Sequence, residues 1–175
     1  MMNVHKSLFW PTITPTHTFS NAPSNIEVLI VPGGPGARSP DLGPEIAYIK
    51  DVFPKLKYLI TICTGSGIAA QSGVLDGRRA TTNKAAWAQM TAMGPKVRWV
   101  APARWVEDGK VWSSSGVTAG IDLMYEFLKQ KYPNGTALAK QFGGITEYEP
   151  ETDWRADPWS ERFNVTVPVP EPVVQ

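Results

Sequence analysis

One side chain in this sequence, the thiol of Cys63, joins a nucleophilic atom to a local pattern that activates one. The apolar run at 58–62 predicts a buried strand, and a Thr-Gly-Ser-Gly segment after the cysteine leads into a sequence typical of a helix. Such a turn lifts a side chain out of the sheet, and the unpaired N–H groups at a helix start favour the thiolate. The pattern predicts a nucleophile elbow with cysteine in place of serine. A buried structural cysteine is the competing interpretation.

A glycine-rich loop is expected beside this cysteine. Residues 28–31, Val-Leu-Ile-Val, predict a second buried strand, and Gly33 and Gly34 follow it closely. Because neighbouring parallel strands end at the same edge of a sheet, this loop is predicted to lie near Cys63. Its backbone amides, with that of Thr64, are candidates to stabilise a developing negative charge. A tight turn that requires positive φ is the competing interpretation.

The elements that position these residues alternate between strand and helix. Helices are predicted at about 44–53, 84–93, 118–128 and 136–142, and further strands at 79–82 and 97–101. Asp108-Gly109 predicts a hairpin turn between two short strands. The alternation predicts an α/β fold with a mostly parallel sheet and one hairpin.

The two ends of the chain differ from its body. Residues 1–24 carry no helix signal and are expected to form an extended N-terminal segment. In residues 149–175, Trp154, Trp159 and Phe163 stand among charges ahead of a proline-rich tail. We expect an extended C-terminal arm whose aromatic side chains pack on the body or on a second subunit. The whole chain, residues 1–175, is predicted to form a single domain.

Composition argues against several classes of function. The chain is 42% hydrophobic and 19% charged with a net charge of +1, and its Lys and Arg residues are scattered, so no nucleic-acid or membrane partner is expected. No apolar run has the length of a membrane helix, the start lacks a signal-peptide core, and a single cysteine forms no internal disulfide. We therefore expect a cytoplasmic protein. Cys63 and the distant His5 and His17 form no ligand cluster, so neither a metal nor a cofactor is expected.

Four segments resemble the ThiJ/PfpI superfamily, a class I glutamine amidotransferase-like group. They are, in chain order, residues 29–34, 61–65, 73–82 and 115–122. The Cys-Thr-Gly and Gly-Val-Thr-Ala-Gly-Ile-Asp segments are most similar to the isonitrile hydratase branch and its fungal relatives. The resemblance extends from about Asn25 to Phe142, and it implies a flavodoxin-like three-layer sandwich that is commonly a homodimer.

The resemblance also implies roles for individual residues. Cys63 falls on the elbow cysteine of the family, and Gly33, Gly34 and Thr64 fall on its oxyanion-pocket positions. In the hydratase branch the thiolate attacks the isonitrile carbon to give a thioimidate, from which water releases an N-substituted formamide. The expected function is therefore that of a cysteine-dependent lyase, hydratase-like, with a small-molecule substrate.

Two departures from the family pattern affect this expectation. Many relatives carry a histidine where this chain has Asn83, and asparagine does not relay a proton at neutral pH, so Asn83 is expected to orient substrate or water. The family's first strand and helix, with their acidic residue, also have no counterpart. Glu27 and Glu45 do not match that motif and are expected to be surface charges. A sheet that lacks this strand would expose an edge, which invites pairing with another chain.

Three alternatives to a hydratase stay open. One is a glyoxalase or deglycase that acts on reactive carbonyls. Another is a non-catalytic redox sensor whose thiol oxidises to the sulfinate. The third is a pseudoenzyme that serves only in interactions. Trp87, Trp112 and Trp154 are candidates for an apolar pocket wall, although packing in the core or at an interface is the simpler expectation for each.

Overall fold

The structure is a computed structural model that describes residues 13–165, and its central element is a four-stranded sheet. The strands among these residues are β1 (Val28–Val31), β2 (Tyr58–Ile62), β3 (Arg79–Ala80), β4 (Arg98–Trp99), β5 (Trp105–Asp108) and β6 (Val111–Ser114). The central sheet has the order β1-β2-β6-β5, in which β1, β2 and β6 are parallel and β5 is antiparallel to β6. Strands β3 and β4 form a separate parallel pair.

Helices lie between the strands and cover the sheet. They are α1 (Gly43–Val52), α2 (Gly65–Gln71), α3 (Trp87–Ala92), α4 (Val117–Lys131), α5 (Gly135–Thr146) and α6 (Pro158–Arg162), with 3₁₀ turns at Pro35–Arg38, Phe53–Lys55 and Lys84–Ala86. None of the helices in residues 13–165 is both long and apolar enough to cross a membrane. The predicted α/β fold with a mostly parallel sheet and one hairpin is confirmed.

Some predicted bounds differ from the observed ones. The predicted strands at 79–82 and 97–101 are only two residues long each. The predicted helix at 84–93 begins as a 3₁₀ turn, because the Asn83 side chain caps residues 84–86 and α3 starts only at Trp87. The C-terminal arm contains α6, a helix that the sequence interpretation did not include. The predictions for His5 and for the proline-rich tail lie outside the described residues.

Two apolar layers on opposite faces of the sheet form the core. On one face, Val31, Leu59 and Val111 pack in a cluster that includes α1 and α2 residues. On the other face, Ile60 and Trp112 pack with α4 residues. Leu59 and Ile60 are consecutive, and they point to opposite faces because side chains alternate along a strand. This arrangement of helix, sheet and helix is the predicted three-layer sandwich.

Strand β1 forms one edge of the described sheet. Leu29 and Val31 pack with the α1 and α2 layer, whereas Val28 is 38% exposed and Ile30 is 49% exposed. No strand within residues 13–165 pairs with the outer edge of β1. The described part of the chain therefore has an open sheet edge with an apolar strip on one face, as the sequence interpretation expected.

A buried carboxylate, Asp122 of α4, connects the C-terminal arm to the sheet. It accepts hydrogen bonds from Arg104, including one of 3.0 Å from Nε, from the Tyr148 hydroxyl at 2.6 Å and from the Glu151 backbone N–H at 3.0 Å. Burial, followed by this hydrogen bond and the charge of Asp122, raises the pKa of Tyr148 to about 12. The final aspartate of the Gly-Val-Thr-Ala-Gly-Ile-Asp segment therefore has a structural role.

Replacing Tyr148 with Phe removes the hydroxyl donor and tests this connection through pH. A raised pKa in the folded state means that the stabilisation is complete below the unfolded-state pKa of about 10 and is lost as pH rises through about 12. Wild type should therefore be more stable than Tyr148→Phe at pH 8, and its advantage should shrink above pH 10. Urea unfolding of both proteins across this range measures the difference. A constant difference up to pH 11.5 would contradict the assignment.

Candidate functional site

Cys63 lies between β2 and α2 in a backbone conformation that is unusual for a residue with a side chain. Its φ is 58°, in the left-handed region. A non-glycine residue there costs roughly 1–3 kcal/mol unless the surroundings hold it in place. The cysteine is half-buried and is the single free thiol of the chain. Strand, strained residue and helix follow one another as in the predicted elbow.

Three hydrogen bonds hold the Cys63 backbone in this conformation. Its N–H donates to the Ser114 carbonyl at 3.1 Å, which fixes it to the end of β6. Its carbonyl accepts from the Ser66 hydroxyl at 3.0 Å and from the Thr82 hydroxyl at 3.2 Å, and both side chains are fully buried. Because the one acceptor and two donors come from three different segments, the tertiary structure fixes the backbone of Cys63.

Two glycines allow the β1 loop to touch this elbow. A Cβ on Gly33 would lie 2.7 Å from the Ile62 carbonyl oxygen and 2.8 Å from the Cys63 Cβ. A Cβ on Gly65 would overlap the Val31 carbonyl oxygen. Side chains at these positions would push the β1 loop away, so the two glycines are required for the close approach of loop and elbow. The structure thus brings Gly33 next to Cys63.

Gly34 and Thr64, the other predicted pocket residues, bond to each other. The Gly34 N–H donates to the Thr64 hydroxyl at 2.9 Å, and that hydroxyl is within 3.2 Å of the Gly34 carbonyl oxygen. The Gly34 amide is therefore occupied. The amides of Gly33 and Thr64 have no acceptor within residues 13–165. Of the three amides named from the sequence, only that of Gly34 has an acceptor within residues 13–165.

Asn83 lies one residue beyond Thr82, whose hydroxyl bonds to the Cys63 carbonyl. The Asn83 Oδ1 accepts from the Ala86 N–H at 3.1 Å and so caps the following 3₁₀ turn. This bond fixes the orientation of the amide and leaves its NH₂ group as a donor. Asn83 also lines a cavity of about 310 Å³ beside the elbow.

The two glutamates expected on the surface differ from each other. Glu27 is exposed and forms an ion pair with Lys57 at 2.6 Å. Glu45 is half-buried, and its Oε2 is buried without a hydrogen-bond partner in residues 13–165, so the surface expectation is wrong for this side chain. It stands in the first turn of α1, where the unpaired N–H groups of the helix favour a negative charge.

The sequence interpretation missed a buried ion pair close to the elbow. The Lys84 ammonium is 3.1 Å from Oδ2 of Asp157, and both side chains are only 1% exposed. Burial lowers the pKa of Lys84 to about 8, and the charge of Asp157 opposes that shift. The ammonium also donates to the Thr81 and Ser115 hydroxyls and to the Thr82 and Ala103 carbonyls, at 2.9–3.2 Å.

One sequence signal would have located half of this pair. Asp157 followed by Pro158 is the pattern of an N-cap with proline at the first helical position, and α6 begins there. Nothing local marks Lys84, because its partners come from four separate segments of the chain. Its burial is a property of the tertiary structure alone.

The three tryptophans considered as pocket walls do not line the cavity beside the elbow. Trp112 is fully buried in the core, Trp87 packs edge-on against Trp99, and Trp154 packs against the core clusters. Their packing follows the simpler expectation. The aromatic residues of this cavity are instead Trp159 and Phe163 of the C-terminal arm.

Comparisons with known proteins find relatives of this chain in sequence and in structure. The model of the DJ-1/PfpI family matches residues 11–130. Isonitrile hydratase of Pseudomonas putida is 31% identical over 140 residues, which are 79% of this chain and 58% of the hydratase. The HTH-type transcriptional regulator GbdR of Pseudomonas aeruginosa is 27% identical over 137 residues, 78% of this chain and 36% of the regulator.

A solved structure supports the same fold. The crystal structure of a ThiJ/PfpI family protein from Pseudomonas syringae has a TM-score of 0.66 and 26% identity, and the match covers 87% of this chain and 64% of that protein. The chain thus spans less than two thirds of the length of each of these relatives.

Gly65→Ala tests the contact between the β1 loop and the elbow. A methyl group there overlaps backbone atoms that cannot rotate away, and overpacking of this kind costs about 1–3 kcal/mol. Gly144→Ala is a matched control, since Gly144 is also helical but has open space around its Cα. It should leave stability unchanged or raise it by roughly 0.5–1 kcal/mol. Urea unfolding distinguishes the two, and equal stabilities would argue against the contact.

Proposed function

The chain belongs to the DJ-1/PfpI family, and on that premise we propose that it is a cysteine-dependent enzyme of the hydratase kind. Cys63 attacks an electrophilic carbon, and isonitriles are the proposed substrate class. The observation that carries the proposal is the φ of 58° at Cys63, held by hydrogen bonds to three other segments. A buried structural cysteine does not need such a backbone.

The proposed reaction has two stages. The thiolate forms a C–S bond with the terminal carbon of the isonitrile, and that carbon takes a proton from water to give a thioimidate. A second water molecule adds across the C=N bond, with its hydroxyl group on the carbon and its proton on the nitrogen. The hydroxide left by the first stage then takes the proton of that hydroxyl group as the C=O bond forms and the C–S bond breaks. An N-substituted formamide leaves and the thiolate is restored, so one water molecule is consumed in each cycle.

The residues around Cys63 have separate roles in this proposal. The free amides of Gly33 and Thr64 bind the oxygen that carries negative charge after water adds. Gly34 instead fixes the Thr64 hydroxyl, so its role is to position that residue. The NH₂ group of Asn83 orients the substrate or the attacking water, because the cap bond already fixes its carbonyl side. No step requires a histidine at position 83.

A second candidate function is ligand binding without turnover. The similarity to GbdR over 78% of this chain favours it, since that relative is a transcriptional regulator. The cavity and the elbow would then bind a small molecule, and this binding would change the activity of another part of a protein. If the wild-type protein shows no turnover and Cys63→Ala still binds the small molecule, this candidate is favoured over the enzyme.

Replacing the thiol tests the enzymatic proposal directly. Cys63→Ala and Cys63→Ser should lower the rate of formamide release from benzyl isonitrile to the uncatalysed rate, since neither side chain supplies a thiolate. Proton NMR of the formyl group measures the product, and circular dichroism confirms that both variants are folded. Turnover that persists in Cys63→Ala would rule out the proposed nucleophile.

We propose in addition that the protein is a homodimer in which the open edge of β1 takes part. Unpaired strand edges pair readily with a second strand, and Ile30 offers apolar surface next to that edge.

Light scattering should give a mass of about 38 kDa, twice the 19.2 kDa of one chain. Ile30→Lys should shift the protein toward the monomer, because a charge on this strip opposes its burial. Ile13→Lys is the control at a position that is 88% exposed, and it should not change the mass. An unaltered dimer in Ile30→Lys would place the interface elsewhere.

A further inference from the structure

The cavity of about 310 Å³ begins next to the elbow on two sides. One wall starts at Ser115, the residue after Ser114, whose carbonyl bonds to the Cys63 N–H. A second wall starts at Asn83, the residue after Thr82, whose hydroxyl bonds to the Cys63 carbonyl. Cys63 itself does not line the cavity. The residue that links the cavity to the proposed reaction is Asn83, which lines this space and is proposed to orient the substrate.

The third wall is aromatic and comes from α6. Trp159 and Phe163 are four residues apart and share one side of the helical turn, with ring centroids 6.4 Å apart and ring planes inclined by 28°. The Arg162 guanidinium stacks on Trp159 at 4.6 Å from its ring centroid. Both rings line the cavity, yet they are 42% and 46% exposed. These rings leave apolar surface for another group to cover.

Helix α6 has only five residues, and the Asp157 carboxylate holds it in place. The Oδ1 of Asp157 accepts a hydrogen bond from the Trp159 N–H at 3.2 Å. The Oδ2 of Asp157 accepts from the Ser160 hydroxyl at 2.6 Å and from the Ala103 N–H at 3.2 Å. So short a helix is not stable without such contacts. Asp157 therefore determines where the two aromatic rings stand.

The Lys84 ammonium connects all three walls of the cavity. It pairs with Asp157 beneath the aromatic wall, donates to the Ser115 hydroxyl at the start of the first wall, and donates to the Thr82 carbonyl beside the second wall. Because both charges of the pair are buried, removal of either side chain would leave the other charge buried without its counter-ion. One ion pair thus fixes the distance between the aromatic rings and the elbow.

From this geometry we infer that Trp159 and Phe163 determine substrate specificity and that Lys84 and Asp157 are positioning residues for them. The inference rests on the proposed function and defines its substrate class more closely. The favoured substrates carry a planar apolar group on nitrogen, as in benzyl or aryl isonitriles, which lies against the two rings. The cavity volume is near the lower end of the range of roughly 300–1,000 Å³ for ligand pockets, which suits one such ring.

The test compares two substrates in wild type and in three single variants of the full chain. Trp159→Ala and Phe163→Ala should each lower kcat/KM for benzyl isonitrile about tenfold and leave methyl isonitrile within twofold. Phe142→Ala is the matched control, since Phe142 is 45% exposed on α5 and does not line the cavity. It should change neither substrate. Equal effects on both substrates, or no effect on benzyl isonitrile, would overturn the inference.

A binding measurement separates this inference from the proposed function. If wild type turns over no isonitrile, the proposed function fails, and calorimetry with N-benzylformamide and N-methylformamide then tests the cavity. Tighter binding of the benzyl compound, lost about tenfold in Trp159→Ala, would still support the aromatic wall. Wild type that binds neither compound, or binds both equally, would contradict it.

The positioning role needs its own variant. Asp157→Asn keeps the shape of the cap but removes the charge, and it should reduce the preference for benzyl over methyl isonitrile by several-fold. If Asp157→Asn does not fold, Ser160→Ala replaces it in the same comparison, because it removes only one hydrogen bond to Asp157. A purely structural role would lower the amount of active protein and leave the ratio of the two kcat/KM values unchanged. An unchanged ratio in the folded variant would therefore overturn the assignment.

Discussion

The strained backbone of Cys63 is the constraint on which the rest of the site depends. Cys63 keeps its φ of 58° only while Ser114, Ser66 and Thr82 hold its N–H and carbonyl groups. Those partners lie on β6, on α2 and just after β3. The sheet order places Ser114 beside Cys63, and α2 supplies Ser66. The pairing of β3 with β4 positions the segment that carries Thr82.

The same segments continue outward to form the cavity. Residues just beyond Thr82 and Ser114 become its walls, and the buried pair of Lys84 and Asp157 attaches the aromatic helix α6 to them. A buried ion pair is a weak source of net stability, because removal of both charges from water offsets their attraction. Its consequence here is geometric, since it fixes the distance between the arm and the elbow. The Cys63 turn and the cavity are thus parts of one connected structure.

Local patterns in the sequence predicted much of the fold. The apolar runs at 28–31 and 58–62 are strands with those bounds, and the predicted hairpin is present with its turn at Gly109 and Lys110, one residue beyond the predicted Asp108-Gly109. These signals depend on near neighbours in the chain. The occupied Gly34 amide and the buried Lys84 depend on partners tens of residues away, and no periodicity records them. The α6 helix was missed because five residues are too few to show a helical repeat.

The rate at which Cys63 reacts with iodoacetamide at pH 7 tests the elbow most directly. The chain has no other cysteine, so the mass of the intact protein reports this thiol alone. The free amides of Gly33 and Thr64 beside a half-buried thiol predict that the folded protein reacts several times faster than the same protein unfolded in urea. A folded protein that reacts no faster than the unfolded one would show that Cys63 is a structural cysteine and would contradict the account.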